Sequence, residues 1–118
     1  NLAKKYPESP TPFKYINSGG FIGYAGFIKK MLTEIKINES ISDQRQITLY
    51  YLKNKEQFLL DYHSTIFLSL YKVTRKEVHI DANNQSVRCL TTDSFPCIIH
   101  DNSTNFEGIY EEIYEMLF

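Results

Sequence analysis

The sequence predicts a mixed α/β fold, and three observations carry that prediction. Phe27, Ile28, Met31, Leu32 and Ile35 recur at helical spacing on one face. The stretches 77–81 and 86–90 flank Asn83-Asn84, a β-hairpin signal because Asn tolerates a positive φ. Pro96 opens a short apolar run, Cys97 to His100, of the length and character of a buried strand. Helices mixed with strands and a hairpin insertion predict part of a three-layer α/β domain. The first half of its sheet is expected to lie outside this chain.

Residues 1–12 carry Pro7, Pro10 and Pro12 and read as an extended surface lead-in. Phe13-Lys14-Tyr15-Ile16 alternates apolar and polar residues, which predicts a short strand. Asn17 to Gly20 reads as a turn, whose two glycines allow a positive φ and leave room beside the backbone. Phe21 to Tyr24 reads as a strand. A helix is expected over 25–37 and a break over 38–42. A second helix is expected over 43–53, capped by Ser42 or Asp43. Short strands are expected over 58–61 and 65–70. A last helix is expected over 104–118. Its apolar stripe is Phe106, Ile109, Tyr110, Ile113, Tyr114 and Leu117, opposite a solvated face of Glu107, Glu111, Glu112 and Glu115.

Composition narrows the function classes. Hydrophobic residues make up 42% of the 118 and charged residues 23%, enough apolar surface for a packed core. A net charge of -1 gives no ground for nucleic acid or an anionic membrane as partner. No apolar run approaches the ~20 residues of a membrane span. The start of the chain shows no signal core and reads as an excised or internal start. Cys89 and Cys97 lack the Cys-x-x-Cys spacing of zinc or thioredoxin sites. Two buried free thiols and, in a lumenal or secreted domain, a hairpin-spanning disulfide both stay open. No Rossmann glycine fingerprint supports an oxidoreductase.

Two segments carry chemistry. Asn17-Ser18-Gly19-Gly20-Phe21-Ile22-Gly23 is a polar glycine turn running into apolar sequence. Pro96-Cys97-Ile98-Ile99-His100-Asp101-Asn102 is a strand that delivers an imidazole and an amide at its end. Open α/β sheets bind ligands at the carboxyl ends of their strands.

Together these segments resemble the glycosyltransferase domain of the procollagen lysyl hydroxylases. The resemblance runs collinearly from about Leu2 to Asn102. It takes in Leu2-Ala3, Tyr6-Pro7, Asn17 to Gly23, Asp43-Gln44, Leu60-Asp61, Ile66-Phe67 and Pro96 to Asn102. It implies a GT-A (Rossmann-like) sugar transferase that takes glucose or galactose from a UDP-sugar with Mn2+. The implied acceptor is hydroxylysine or galactosyl-hydroxylysine in a collagen-like protein. It also raises a fused lysyl hydroxylase domain as an open question. Carried over by position, His100 is the metal ligand and Asp43 the catalytic carboxylate beside the reacting sugar. Asn17, Ser18, Gly19, Gly20, Asp43, Gln44, Asp61 and Asn102 are the implied substrate-binding residues.

The chemistry fits those residue types. A divalent cation neutralises charge growing on a departing diphosphate, and Mn2+ accepts imidazole, carboxylate and phosphate ligands together. Asp43 can hold an acceptor hydroxyl or balance an oxocarbenium-like transition state. Each residue also has an ordinary alternative. His100 can be a hydrogen-bonded surface imidazole, and Asp43 a helix N-terminal carboxylate favoured by the macrodipole. Asn17 to Gly20 can be a plain connection, Asn102 a helix cap and Asp61 a turn former. His63 and His79 match nothing and are expected to be exposed.

Two departures stand out. The family's acidic run before Asp-Gln is reduced here to Glu39 and Asp43. Its His-Gly-Asn-Gly has become His100-Asp101-Asn102-Ser103. No Asp-x-Asp or Asp-x-x-Asp is present. The expectation is therefore one segment, 1–118, forming the C-terminal, acceptor-side portion of the domain. The nucleotide-binding portion would lie elsewhere, and the segment alone would be inactive. The competing expectations are a transferase with another sugar or acceptor, and a non-catalytic domain that docks collagen-like chains. An Asn-, Ile- and Lys-leaning composition leaves a viral source open. The compartment is open too: cellular family members are lumenal in the endoplasmic reticulum, and a viral one need not be.

Overall fold

The structure is a computed structural model that describes residues 2–36, 38–102 and 108–118. The chain divides into two compact units, Asn1–Glu8 with Lys14–Leu60, and Ser9–Phe13 with Asp61–Phe118.

The first unit is built on two helices, α1 (Ala25–Ile35) and α2 (Asp43–Lys53). The helical spacing of α1 buries Met31 and half-buries Phe27, Ile28 and Ile35, while Leu32 stays exposed. Lys36 ends the helix in a left-handed conformation at φ 49. Ile37, expected within this helix, lies outside the described residues. α2 has the bounds expected of it. Ser42 occupies its N-cap position without a side-chain cap bond, and its carbonyl accepts from Arg45 and Gln46 N–H. Tyr50 Oη donates to Glu34 Oε2 at 2.7 Å and ties α2 to α1.

Aromatic contacts fill this unit. Tyr51, 3% exposed, stacks on Tyr6 at 5.2 Å and meets the edge of Phe58 at 5.6 Å. Phe58 also meets Phe27 at 5.5 Å, and Tyr6 meets Tyr15 at 5.0 Å. The lead-in is not fully extended: Leu2–Lys5 form a 3-10 turn. The strands expected over 13–16 and 21–24 are not formed, and neither is the one over 58–61. A strand needs a partner ladder for its backbone groups, and among the described residues these stretches find none.

Among the described residues the second unit contains four strands and a helix: β1 (Phe67–Ser69), β2 (Val78–Asp81), β3 (Ser86–Cys89), β4 (Ile98–His100) and α3 (Ile109–Leu117). β1 pairs with β4 in parallel, Phe67 opposite Ile98 and Ser69 opposite His100. β2 and β3 form the expected antiparallel hairpin, Val78 opposite Cys89 and Asp81 opposite Ser86. Its turn differs from the expected one, because Gln85 takes the positive φ of 48 rather than Asn83 or Asn84. Asp81 explains this. Its carboxylate accepts the N–H groups of Asn83 and Asn84 and the Asn84 side-chain amide, which holds both Asn residues in an Asx-type turn. Thr74 and Glu77 form a reciprocal capping box over the short turn that leads into β2.

Leu68, Leu70, Val73, Val78, Val87, Cys89, Ile109 and Ile113 form an aliphatic core, with Phe13, Ile80, Ile99 and Met116 packed against it. α3 begins at Ile109, with Gly108 in its N-cap position. The stretch 104–107 of the expected helix, with Phe106 of the stripe and Glu107, lies outside the described residues. Within α3, Ile109 and Ile113 are buried, whereas Tyr110, Tyr114 and Leu117 are exposed. Glu112 is not merely solvated, since it pairs with Arg75. Both cysteines are free; Cys89 is buried, but Cys97 is exposed, against the expectation of two buried thiols. Among the described residues no helix is long and apolar enough to cross a membrane.

Candidate functional site

The candidate residues fall into two sets, one in each unit. In the first unit the Asn17–Gly20 turn is built by side chains. Asn17 Oδ1 accepts the Gly19 N–H at 2.8 Å. Gln44 Oε1 accepts the Ser18 N–H at 2.8 Å, and Gln44 Nε2 donates to the Ile16 carbonyl at 2.7 Å. The turn is thereby fastened to the first turn of α2, where Asp43 is exposed and accepts the Gln44 N–H at 2.7 Å. Asn17, Ser18, Gly19, Gly20, Asp43 and Gln44 are thus brought together. Gly108 is the glycine with a left-handed backbone among the described residues, so Gly19 and Gly20 make their turn without a positive φ.

In the second unit the parallel pair β1–β4 delivers its residues at the carboxyl edge. The His100 carbonyl accepts the Leu70 N–H at 2.9 Å, which fixes the backbone where the half-buried imidazole leaves it. Asn102 Oδ1 accepts from Ser69 Oγ at 2.8 Å. His100, Asn102 and Ser69 therefore share the edge at which parallel sheets bind ligands. Ser69 escaped the sequence reading. Its signal was a polar residue closing the apolar run Ile66-Phe67-Leu68, at the same register as the histidine.

Asp61 is placed elsewhere. Its Oδ1 accepts the Thr65 N–H at 2.8 Å, and its Oδ2 accepts Ile66 and Phe67 N–H at 2.7 and 2.9 Å. These bonds close the turn that enters β1, at the opposite end of the strand pair from His100. The turn-forming role describes what this carboxylate does. His63 and His79 are exposed, as expected.

The described residues contain no group of three or more His, Cys, Asp or Glu side chains that could hold a metal ion. His100 alone supplies one donor. The described residues by themselves therefore do not make up a Mn2+ site.

The sequence places this chain in the class of the glycosyltransferase domains. More closely, the family model of the PLOD GT domain matches residues 1–110, and the chain belongs to that family. The resemblance read from the motifs is borne out. Among its relatives is the human multifunctional procollagen lysine hydroxylase and glycosyltransferase LH3. It is 34% identical over 106 residues, covering 86% of this chain and 14% of the relative. Procollagen-lysine,2-oxoglutarate 5-dioxygenase 1 of Gallus gallus is 36% identical over 107 residues, with the same coverage. An uncharacterized protein of Acanthamoeba polyphaga mimivirus is 26% identical over 102 residues, covering 86% of this chain and 21% of the relative. The chain thus spans about one seventh of the length of the first two.

Proposed function

We propose that this segment forms the acceptor-side portion of a transferase domain. In the parent protein that domain would move glucose or galactose from a UDP-sugar to hydroxylysine or galactosyl-hydroxylysine of a collagen-like protein. The observation that carries the reading is the family match over 1–110, with the Asn17–Gly20 turn fastened beside Asp43.

In this reading the polar turn holds sugar hydroxyls, and Asn102 holds a donor hydroxyl or phosphate. Asp43, exposed at a helix start, accepts the hydrogen bond of the attacking hydroxyl or balances positive charge on the sugar. Mn2+ dependence belongs to the same proposal, with His100 as one donor and the carboxylates drawn from outside this chain. A cation of this kind neutralises charge on the leaving diphosphate. The GT-A fold and the missing nucleotide-binding portion are proposed with it.

Asp101 favours a second reading. It stands where the family has glycine, and puts a carboxylate and a Cβ beside His100. That change supports a transferase with another sugar or acceptor, or a domain that docks collagen-like chains without catalysis.

The test is turnover of UDP-glucose and UDP-galactose by the parent protein with Mn2+, wild type beside His100→Ala. Mn2+-dependent turnover that falls at least a hundredfold in the variant, with an unchanged melting midpoint, supports the proposal. No turnover and no Mn2+-dependent UDP binding favours the docking domain. Turnover by the isolated 118 residues would contradict the assignment as an acceptor-side portion.

A further inference from the structure

Two glutamines stand two positions apart at the start of α2, and each fastens a different neighbour. Gln46 Nε2 donates to the carbonyls of Asn38 and Ile41 at 3.0 and 2.8 Å, and its Oε1 accepts the Asn38 N–H at 2.8 Å. It closes the loop between the helices. Gln44 instead reaches the Asn17–Gly20 turn.

We infer that Gln44 is a positioning residue for sugar binding. Its amide locks the Asn17–Gly20 turn onto the helix start that carries Asp43, so both face a hydroxyl-rich ligand as one rigid surface. This rests on the transferase reading above.

A primary amide has one carbonyl acceptor and two N–H donors. In Gln44 the oxygen takes the Ser18 N–H. The nitrogen gives one hydrogen to the Ile16 carbonyl and one to Thr48 Oγ1 at 3.3 Å. Contact at both Ile16 and Ser18 fixes the backbone on either side of Asn17, in position and in rotation. Thr48 is buried and lies one helical turn beyond Gln44, so it sets which way the amide points. Asn17 Oδ1 then closes the turn from within through the Gly19 N–H.

Both amide donors are engaged within the protein, so Gln44 acts through the turn rather than by donating to the sugar. A turn that is no longer held must be ordered when the ligand binds, and that ordering opposes binding. Freeing the turn is therefore expected to weaken sugar binding by at least tenfold.

The experiment compares Gln44→Met with Gln46→Met in the parent protein. Methionine keeps a comparable length and removes every amide hydrogen bond. Kinetics with the UDP-sugar that the wild type turns over are read beside thermal unfolding. The expected result is a KM for the UDP-sugar raised at least tenfold in Gln44→Met, with kcat changed less than threefold. That split marks lost ground-state binding. Gln46→Met should lower the melting midpoint comparably and leave KM within twofold. Equal KM changes in the two variants, or none in Gln44→Met, overturn the inference while the transferase reading stands. A wild type without turnover removes both.

Discussion

The two sets of candidate residues, one in each unit, are built in opposite ways. In the first unit the chain forms no ladder over 14–24 among the described residues, and the turn's geometry rests on the side chains of Asn17 and Gln44. In the second unit His100 is held by backbone pairing in a parallel ladder, beneath which lies an aliphatic core. The cores differ in the same sense: ring contacts among tyrosines and phenylalanines in one, Leu, Val and Ile in the other. A ladder uses groups that every residue carries, so many sequences can build it. An amide clamp depends on one side chain of the right length. The Asn17–Gly20 turn should therefore be the more sensitive to single polar substitutions, and the His100 strand edge to loss of core volume.

The largest expected effect tests whether the rings hold the first unit. Tyr51→Ala should cost about 4 kcal/mol, since truncating a buried aromatic costs roughly 3–5 kcal/mol. Urea unfolding of the parent protein, with hydrogen exchange followed over 14–60, reads it. A cost under about 1 kcal/mol would show that the ring contacts hold little.

Leu68→Ala is the matching cut in the second unit. Leu68, the central residue of β1, is fully buried, and the expected cost is about 3 kcal/mol, read by exchange over 61–102. If His100 owes its placement to the ladder and this core, exchange at Leu70 N–H should accelerate in the same variant.

Next in size is Thr74→Ala, which removes the capping box that leads into β2. A loss of about 1 kcal/mol is expected in the same denaturation. No loss would show that hairpin pairing alone sets the register of β2.

The smallest effect concerns pH. Asp81 is held below its ordinary value of 3.8, first by the Asn84 side chain and then by the Asn84 backbone N–H. A carboxylate with a lowered folded pKa stabilises the fold above its unfolded pKa. That contribution fades as pH falls through the lowered folded value. The urea midpoint should drop between pH 5 and pH 3, and the drop should be smaller in Asp81→Asn. An identical drop in both proteins would remove Asp81 as the source.

Much of the chain is legible in its sequence alone. The bounds of α2, the spacing that buries one face of α1, the hairpin and the strand ending in His100 all follow from local periodicity and turn chemistry. These act over a few residues and need little help from afar. The order of Leu2-Ala3, Asn17 to Gly23, Asp43-Gln44 and Pro96 to Asn102 was enough to identify the family. Tertiary structure decided the rest. Whether 13–16 and 21–24 became strands depended on a distant partner, which alternation within the segment cannot report. The polar side chains of Asp61 and Gln44 looked equally fit for substrate. Where their oxygens and N–H groups went was set by backbone that only folding brings near: three N–H groups at the entry to β1, and Ile16 with Ser18 beside α2. A hydrogen bond needs both distance and direction, and neither is written in the order of residues.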